Sequence, residues 1–364
     1  MMKKITETEA TRQLYKFFGE DTVFFDGDFS MSGDMDIIKT GSYLLDDAIG
    51  VGGIPRGRII QLAGKESSGK TMLALSCIAS YLRDNEENTA LFFDAEYTYD
   101  PIWAESLGVD TSRVTVIKTN DARKIFSGLI GIPNPKGKNK KMKGILDYVI
   151  EGKDPRFKNL GIVVLDSIAV LNTPQELGSE AGKINIAPVA RFLSYELKKL
   201  TPEIAKANIA FIGINQVRVN VGQMFGDPTS SPGGKALKHA CSLMINMAPI
   251  GSSDSNVLDG DGNKIGHKVR AKIQKNKVGS PYRKAEYTIE YLKGVANLEE
   301  EILELGIKYS FIDRPNNVIY VINEERFRGR DAAISYLKNN QSVFLELVEK
   351  IQNGCAENIN PEEE

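Results

Sequence analysis

Five short apolar runs, separated by longer segments with helical spacing, dominate the middle of this chain. They read RIIQLAG, ALFFDAE, RVTVIK, GIVVLDS and IAFIGIN, and they lie between about Ile37 and Leu292. Runs that are hydrophobic at nearly every position are typical of parallel strands buried on both faces. Strands that alternate with helices predict an α/β fold with a doubly wound, mainly parallel sheet.

Shorter segments flank this core, so the sequence predicts four parts. Residues 1–35 are expected to form a short helix-strand arm, which is too small to fold alone, and residues 36–294 the core. Residues 295–350 contain helical patterns such as NLEEEILELGIKY and are expected to form a small C-terminal α/β domain. Residues 351–364 lack an apolar pattern and are expected to be an acidic tail.

Composition excludes several classes of protein. The chain is 41% hydrophobic and 26% charged, which is ordinary for a globular protein. Its first residues lack the apolar region of a signal peptide and no stretch is as long as a membrane span, which predicts a cytoplasmic protein without membrane partners. His239, His267 and three scattered cysteines offer no metal spacing, which argues against a zinc enzyme. Because the net charge is −2, a nucleic-acid partner would require basic residues that are concentrated in one part of the surface.

The segment GKESSGKTM follows the first apolar run and matches the pattern G-x-x-x-x-G-K-[ST]. Its glycines allow consecutive backbone N–H groups to surround an anion, and the helix that begins near Lys70 adds its positive end. We expect Lys70 to reach the β and γ phosphates of a nucleotide and the Thr71 hydroxyl to bind Mg²⁺. The predicted nucleotide-binding residues are Gly64, Lys65, Glu66, Ser67, Ser68, Gly69, Lys70, Thr71 and Met72.

Acidic and aromatic residues follow two other apolar runs. Asp166 ends GIVVLDS and is predicted to hold the water shell of the same Mg²⁺. LFFDAEYTYDP ends another run with Asp94 and Glu96, of which Glu96 is the better candidate for activating water. A surface carboxylate that caps the next turn is the alternative for Glu96. Trp103 could stack on adenine, although a purely structural tryptophan fits nearly as well.

Several longer motifs resemble those of the bacterial RecA recombinase family and its bacteriophage relatives. These are GKESSGKTM, FFDAEYTYDPIWAESLGVD, VVLDSIA, INQVRVNVGQMFGDPTSSPGGKALK and KIQKNKVGSPYRKAEYTI, and the similarity extends in order over residues 1–310. It implies a RecA-type ATPase core. It also implies an ATP-dependent recombinase that forms helical filaments on single-stranded DNA and catalyses homologous pairing and strand exchange in recombination and DNA repair. A cellular and a phage origin both remain open.

The resemblance also implies roles for individual residues around ATP. Glu96 would activate the attacking water, and Asp100 and Trp103 would flank the adenine, with Trp103 at a position where the family usually has tyrosine. Tyr291 would pack near the nucleotide.

Three further residues would connect ATP to the filament. Gln216 would sense the γ-phosphate and signal to the adjacent DNA loop. Lys275 and Lys277 would reach the ATP of the neighbouring subunit. Together with Glu96 and Lys70, these three residues complete the predicted catalytic set.

A long segment rich in Gly, Pro and Ser, residues 218–235, follows the last apolar run. Such a stretch inside a compact domain is usually functional or disordered, and its apolar residues could lie beside bases. The resemblance makes this segment the second DNA loop of the family and residues 176–191 the first. The predicted DNA-binding residues are Arg191, Lys198, Arg218, Val221, Met224, Phe225, Gly233 and Gly234.

The implied partners are single-stranded and double-stranded DNA, further copies of the chain in a helical filament, and, as an open question, loading or mediator proteins and single-strand binding protein. Some positions depart from the family pattern. MAP at 247–249 replaces the arginines expected to capture the duplex, which puts the location of that site in doubt. The lysine-rich insertion at 136–143 is one candidate replacement, and a solvated surface is the alternative.

Three other functions fit the sequence less well than the recombinase. A RecA-core hexameric DNA helicase, or another DNA-stimulated ATPase motor, would share the phosphate loop, Asp166 and a catalytic glutamate, but the paired loops and the KNK segment favour the filament. A small-molecule kinase would need a lid over its phosphate acceptor, and none is evident in the sequence. A DNA scaffold that uses ATP only as a switch conflicts with the presence of Glu96.

Overall fold

The computed structural model describes residues 12, 13, 16, 35–132, 142–177, 188–219, 229–230, 234–252 and 255–357. The chain divides into two units, Met1–Asp36 and Ile37–Glu364. In the first unit residues 12, 13 and 16 are helical. The strand TVFFDG, predicted for the N-terminal arm, lies outside the described residues.

The second unit alternates strands and helices. In chain order its strands are β1 Ile37–Ile38, β2 Ile54–Pro55, β3 Arg58–Gly64, β4 Thr89–Asp94, β5 Val114–Lys118, β6 Leu160–Asp166, β7 Ala210–Gln216, β8 Arg218–Val219, β9 Thr229–Ser230, β10 Leu243–Pro249, β11 Asn256–Leu258, β12 Lys264–Asn276, β13 Lys284–Glu290, β14 Gly294–Ala296, β15 Ile319–Ile322 and β16 Glu325–Arg328. Its helices are α1 Tyr43–Ile49, α2 Lys70–Asp84, α3 Pro101–Ser106, α4 Ala122–Ile130, α5 Ile145–Glu151, α6 Pro174–Leu177, α7 Pro188–Lys206, α8 Gly234–Ala240, α9 Leu298–Lys308, α10 Arg330–Asn339 and α11 Gln341–Glu357.

A ten-stranded sheet forms the centre of this unit, with strand order β14-β13-β12-β10-β3-β7-β6-β4-β5 and β11 paired to β12. The strands from β10 to β5 in this order are parallel. β12, β13 and β14 extend the sheet as antiparallel strands. The five apolar runs of the sequence are β3, β4, β5, β6 and β7, so the predicted mainly parallel sheet is confirmed.

Apolar residues are buried on both faces of the sheet. On one face, alternate residues of β3 and β6 pack with α1 and α2, and Leu62, Leu73 and Val164 belong to this cluster. On the other face, the intervening strand residues pack with α4, α5 and α7, and Phe126 and Leu197 belong to this second cluster. Helices on both faces explain why these strands are hydrophobic at nearly every position.

The parallel strands end together at one edge of the sheet. Gly64 at the end of β3 is in register with Gln216 at the end of β7. Asp94 at the end of β4 is in register with Asp166 at the end of β6. In open α/β sheets ligands bind outside the carboxyl ends of the strands. The fold therefore brings polar residues from distant parts of the sequence to one edge.

The C-terminal segment contains α9, the β15–β16 hairpin, α10 and α11, which pack around their own apolar cluster, including Ile302, Tyr320 and Leu347. Helix α11 continues to Glu357, beyond the boundary at residue 350 that the sequence predicted. Ile351 is buried in the same cluster, which continues the helical pattern past that boundary. Among the described helices, none has the length and hydropathy needed to cross a bilayer.

Candidate active site

The phosphate loop joins the end of β3 to the start of α2. Helix α2 begins at Lys70, as the sequence predicted, and Gly69 precedes it with φ 84°. This left-handed conformation favours glycine, and a Cβ at Gly69 would lie 2.9 Å from Ile289 Cδ1. The Ser68 hydroxyl donates a hydrogen bond to the Lys65 carbonyl at 2.8 Å, which closes the loop on itself. The loop therefore presents backbone N–H groups at the positive end of a helix.

Lys70 is buried at the base of this loop. Its side chain is only 8% exposed, and Nζ donates a hydrogen bond to the Lys65 carbonyl at 2.6 Å. Burial lowers the pKa of Lys70, while the nearby carboxylates of Asp166 and Glu96 act in the opposite direction. The ammonium group is therefore held inside the loop by a neutral acceptor, at the place where a phosphate would supply a charged one.

Thr71 and Asp166 form an oxygen pair beside the loop. Thr71 Oγ1 donates a hydrogen bond to Asp166 Oδ2 at 2.7 Å. Burial raises the pKa of Asp166 to about 6, partly offset by that hydrogen bond. A hydroxyl and a carboxylate are ligands that Mg²⁺ prefers, and a divalent cation would stabilise the ionised carboxylate. The two side chains predicted to hold Mg²⁺ therefore lie together and fit the ion.

Glu96 lies next to this pair, on the segment that follows β4. Ser167 Oγ donates a hydrogen bond to Glu96 Oε1 at 2.5 Å. Asp94 is buried instead, and its carboxylate accepts hydrogen bonds from the backbone N–H groups of Thr98 and Tyr99 at 3.0 and 3.1 Å. Asp94 thus holds the turn, and of the two strand-end acids Glu96 is the partly exposed one.

A cavity of about 320 Å³ opens from the phosphate loop. Loop residues 67–72 line one end, and Trp103 and Tyr291 line the aromatic end. His267 and Ile289 complete the lining. Trp103 Nε1 donates a hydrogen bond to the Tyr291 carbonyl at 2.8 Å, which joins the two aromatic residues. A site with a phosphate cradle at one end and aromatic side chains at the other has the dimensions and chemistry of a nucleotide site.

Asp100 borders the same region as the N-cap of α3. Its Oδ1 accepts hydrogen bonds from the backbone N–H groups of Ile102 and Trp103 at 2.9 and 3.4 Å. The side chain is exposed, and it is absent from the lining of the cavity. Asp100 therefore positions the first turn of the helix that carries Trp103, while its predicted contact with adenine stays a prediction.

Gln216 stands beside the start of the phosphate loop. It is in direct register with Gly64, and the next residue, Val217, donates its backbone N–H to the Gly64 carbonyl at 3.2 Å. The side chain is partly buried at the strand end. Because of this pairing, a movement of the phosphate loop at Gly64 would also displace Gln216 and Val217. These two residues directly precede the segment 218–235.

Lys275 and Lys277 lie away from this nucleotide cavity. Lys275 Nζ donates a hydrogen bond to the Lys238 carbonyl at 2.5 Å, near the end of α8. The residue lines a different cavity of about 440 Å³, together with Lys238, His239, Lys272 and Tyr282. Within the described residues, Lys275 and Lys277 are absent from the lining of the nucleotide cavity. The chain therefore does not bring these lysines to its own phosphate loop.

The predicted DNA-binding residues are only partly described. Arg191 and Lys198 are exposed on α7, and their spacing of two helical turns places them on the same face. Arg218 begins β8, which pairs with β9. Gly234 begins α8 with φ 59°. The positions outside the described residues are Val221, Met224, Phe225 and Gly233, together with residues 178–187 of the first loop.

Two residues of the site, Ser167 and His267, could not be identified from the sequence. Ser167 follows Asp166 directly, but a serine after a strand carries no signal that it will contact Glu96. His267 comes from β12, far along the chain, and a single histidine in a strand reads as a core residue. Only the pairing of β12 with β13 places His267 next to Tyr291.

Comparisons with known proteins agree with this geometry. The family model of the RecA N-terminal domain matches residues 4–128 and 142–296. Proteins named Protein RecA from Borrelia hermsii and from Legionella pneumophila are each 34% identical to the chain. Both alignments cover 96% of this chain, with 90% of the Borrelia protein and 91% of the Legionella protein.

These matches favour the recombinase over the hexameric helicase, and they agree with the predicted RecA-type core. The family binds ATP with Mg²⁺, binds DNA and forms filaments. The chain belongs to the RecA family and is an ATP-dependent DNA recombinase with DNA-dependent ATPase activity, an enzyme of homologous recombination, DNA repair and the SOS response.

Proposed function

We propose that this chain hydrolyses ATP in the cavity between the phosphate loop and Trp103, and that the bound nucleotide controls a filament on single-stranded DNA. One observation carries the proposal: the cavity connects the phosphate loop to an aromatic end, with the pairs Thr71–Asp166 and Glu96–Ser167 close to the loop. The start of α2 and the ends of β4 and β6 thus supply the parts of an ATPase site at one edge of the sheet.

The loop residues hold the phosphates in this proposal. Backbone N–H groups at the start of α2 contact phosphate oxygens, and the positive end of the helix favours their charge. Lys70 exchanges the Lys65 carbonyl for the β and γ phosphates, which replaces a neutral acceptor with a charged one. Because Lys70 is buried, this exchange takes place with little competition from water.

Thr71 and Asp166 hold Mg²⁺ in this proposal. When bound, Mg²⁺ neutralises negative charge on the β and γ phosphates. The hydrogen bond between Thr71 Oγ1 and Asp166 Oδ2 keeps both oxygens next to the loop before the ion arrives. Because burial raises the pKa of Asp166 in the free protein, the carboxylate has a strong tendency to pair with a cation once ionised.

Glu96 is the group that orients the attacking water and accepts its proton. Ser167 is a positioning residue in this step, because its hydroxyl holds Glu96 Oε1 and leaves Oε2 to the water. Ser167 directly follows Asp166, so the metal ligand and the holder of the base move as one piece of backbone. The position of Glu96 therefore depends on the position of Asp166 in the metal site.

Gln216, Lys275 and Lys277 connect ATP to the filament. Gln216 lies beside the phosphate loop and begins the segment predicted to contact DNA, so it is suited to report the γ-phosphate. Lys275 and Lys277 lie away from the nucleotide cavity of their own chain, which supports a role at the nucleotide of a neighbouring subunit. A head-to-tail contact of this kind produces a helical filament when its rotation does not close into a ring.

DNA is held along its backbone in this proposal. Arg191 and Lys198 present two positive charges on one face of α7. The segments 176–191 and 218–235, which the sequence predicts to be the two DNA loops, are the further proposed contacts. Phosphate contacts carry no sequence information, so base pairing between the strands decides whether exchange proceeds. Duplex DNA is the second substrate. Mediator proteins and single-strand binding protein are the further partners, and the protein acts in the cytoplasm.

The direct test compares Lys70→Ala with Lys338→Ala, which removes an exposed lysine from α10. Calorimetric titration with Mg²⁺ and ADP, and a phosphate-release assay with ATP and single-stranded DNA, are run on both variants. We expect Lys338→Ala to match the wild type and Lys70→Ala to lose binding or turnover by at least about 10²-fold. Wild-type binding and turnover in Lys70→Ala would overturn the proposed site.

A further inference from the structure

A buried histidine lines the nucleotide cavity without a complete set of hydrogen-bond partners. His267 is 5% exposed, and its Nδ1 lies 3.3 Å from Tyr291 Oη. Within the described part of the chain, its Nε2 is buried and has no hydrogen-bond partner. Buried polar atoms are nearly always paired, so an unpaired ring nitrogen at a ligand cavity indicates a missing ligand atom.

The strand register places His267 between the two ends of the cavity. On β12 it faces Ile289 of β13, and Ile289 contacts the phosphate loop at Gly69. Tyr291 lies two residues beyond Ile289, just past the end of β13, and both residues line the cavity. The Tyr291 carbonyl accepts the Trp103 hydrogen bond. His267 therefore stands between the phosphate loop and the aromatic end. In any nucleotide the sugar is the part that lies between phosphates and base.

The chemistry of the ring fits a sugar hydroxyl. Burial, and to a lesser extent Lys264, lowers the pKa of His267, which favours the neutral imidazole. In a neutral ring one nitrogen is a donor and the other an acceptor. If Nδ1 accepts from Tyr291, then Nε2 is the donor; if Nδ1 donates, Nε2 is the acceptor. A hydroxyl can pair with Nε2 in both cases, because it donates and accepts.

We propose that His267 Nε2 hydrogen-bonds a ribose hydroxyl of the bound nucleotide, with Tyr291 holding the ring in place. This inference rests on the proposed nucleotide site and adds a residue that determines its preference among sugars. The sequence offered no such role for His267, because the histidine is far from every motif of the phosphate loop.

The test is calorimetric titration of the full chain with Mg²⁺ and ADP, 2′-deoxy-ADP or 3′-deoxy-ADP. Wild-type protein is expected to bind one of the two deoxy nucleotides about three- to tenfold more weakly than ADP, as for the loss of one hydrogen bond. His267→Phe keeps a planar ring without nitrogen atoms. It should bind ADP more weakly by a similar factor and lose the preference.

His267→Gln is the rescue variant, because its amide can replace Nε2, and it should keep most of the preference. Thermal unfolding of each free variant checks that the fold is intact, and if His267→Phe fails to fold, the wild type and His267→Gln decide the matter. Equal affinity of the wild type for all three nucleotides, or a preference unchanged in His267→Phe, would overturn the role of His267 and leave the nucleotide site standing. Failure of the wild type to bind any of them would overturn the proposed function itself.

Discussion

Ser167 Oγ lies 2.5 Å from Glu96 Oε1 and donates a hydrogen bond to it. The two residues follow neighbouring parallel strands, β6 and β4, so the bond crosses the edge of the sheet. The adjacent residue, Asp166, accepts the Thr71 hydroxyl. Two consecutive residues therefore connect the two parts of the site. Ser167 holds Glu96, the base predicted to activate water, and Asp166 is one of the two residues predicted to bind the metal.

Glu96→Gln should bind ATP and assemble on DNA but hydrolyse ATP about 10²- to 10⁴-fold more slowly, because the amide cannot accept the proton of water. Ser167→Ala should reduce the rate of ATP hydrolysis about tenfold, because Glu96 remains but loses the hydrogen bond that positions it. Steady-state turnover with saturating single-stranded DNA measures both. In the double variant the serine change should have no further effect. Additive losses would show that Ser167 acts independently of Glu96.

Lys275→Ala should separate nucleotide binding from filament turnover. Because Lys275 is absent from the cavity of its own chain, ADP binding without DNA should stay within about twofold of wild type, whereas DNA-stimulated hydrolysis should fall about 10²-fold. Lys284→Ala, on the neighbouring strand β13, removes an exposed lysine as the control. Loss of ADP binding in Lys275→Ala without DNA would assign the lysine to its own site instead.

Arg191→Ala and Lys198→Ala should each weaken binding to single-stranded DNA in a salt-dependent way. Removing one phosphate contact is expected to reduce the slope of log affinity against log salt concentration by about 0.7. The measurement is fluorescence anisotropy of a labelled oligonucleotide at several salt concentrations, with a non-hydrolysable ATP analogue. Lys153→Ala, an exposed lysine beyond α5, is the control. Slopes equal to that of the wild type would show that Arg191 and Lys198 on α7 do not contact DNA phosphates.

The parallel core and the phosphate loop could be predicted from sequence, because both depend on local pattern. Continuous apolar runs define buried strands, and the spacing of Gly64, Gly69, Lys70 and Thr71 fixes a loop that leads into a helix. The carboxylate Asp166 was predictable for the same reason, since it ends such a run.

The contributions of Ser167 and His267 could not be read from the sequence, because both depend on which strands become neighbours. Ser167 reaches Glu96 only because β6 pairs with β4, and His267 reaches Tyr291 only because β12 pairs with β13 in one register. Shifting that register by one residue would turn His267 to the other face of the sheet. The end of α11 differs from the predicted boundary for another reason, because Ile351 continues the helical spacing of Phe344, Leu347 and Val348 past residue 350.

The pH dependence of stability should reflect Glu301, which ties α9 to α1. Its Oε2 accepts hydrogen bonds from Ser42 Oγ at 2.9 Å and from the Leu44 N–H at 3.0 Å. Burial raises the pKa of Glu301 to about 8 from an ordinary value of 4.5. The folded protein therefore keeps a proton that the unfolded chain releases between these two values. The free energy of unfolding should fall as pH rises through this window.

Glu301→Gln mimics the protonated side chain and cannot ionise. The free energy of unfolding of this variant should therefore fall less as the pH rises. At pH 8.5 we expect it to exceed the wild type in stability by on the order of 1–3 kcal/mol, with a much smaller difference at pH 5. Urea unfolding followed by circular dichroism at the two pH values measures this, with Glu349→Gln on the exposed face of α11 as the control. A difference independent of pH would mean that Glu301 is ionised in the folded protein.

Electron microscopy of the purified protein with single-stranded DNA tests the central claim most directly. With ATP or its non-hydrolysable analogue, the account predicts long helical filaments, more extended than those formed with ADP or without nucleotide. Glu96→Gln should keep its filaments in ATP, and Lys70→Ala should form none. Closed rings on DNA, or filaments that are the same with and without ATP, would contradict the claim that the bound nucleotide governs assembly.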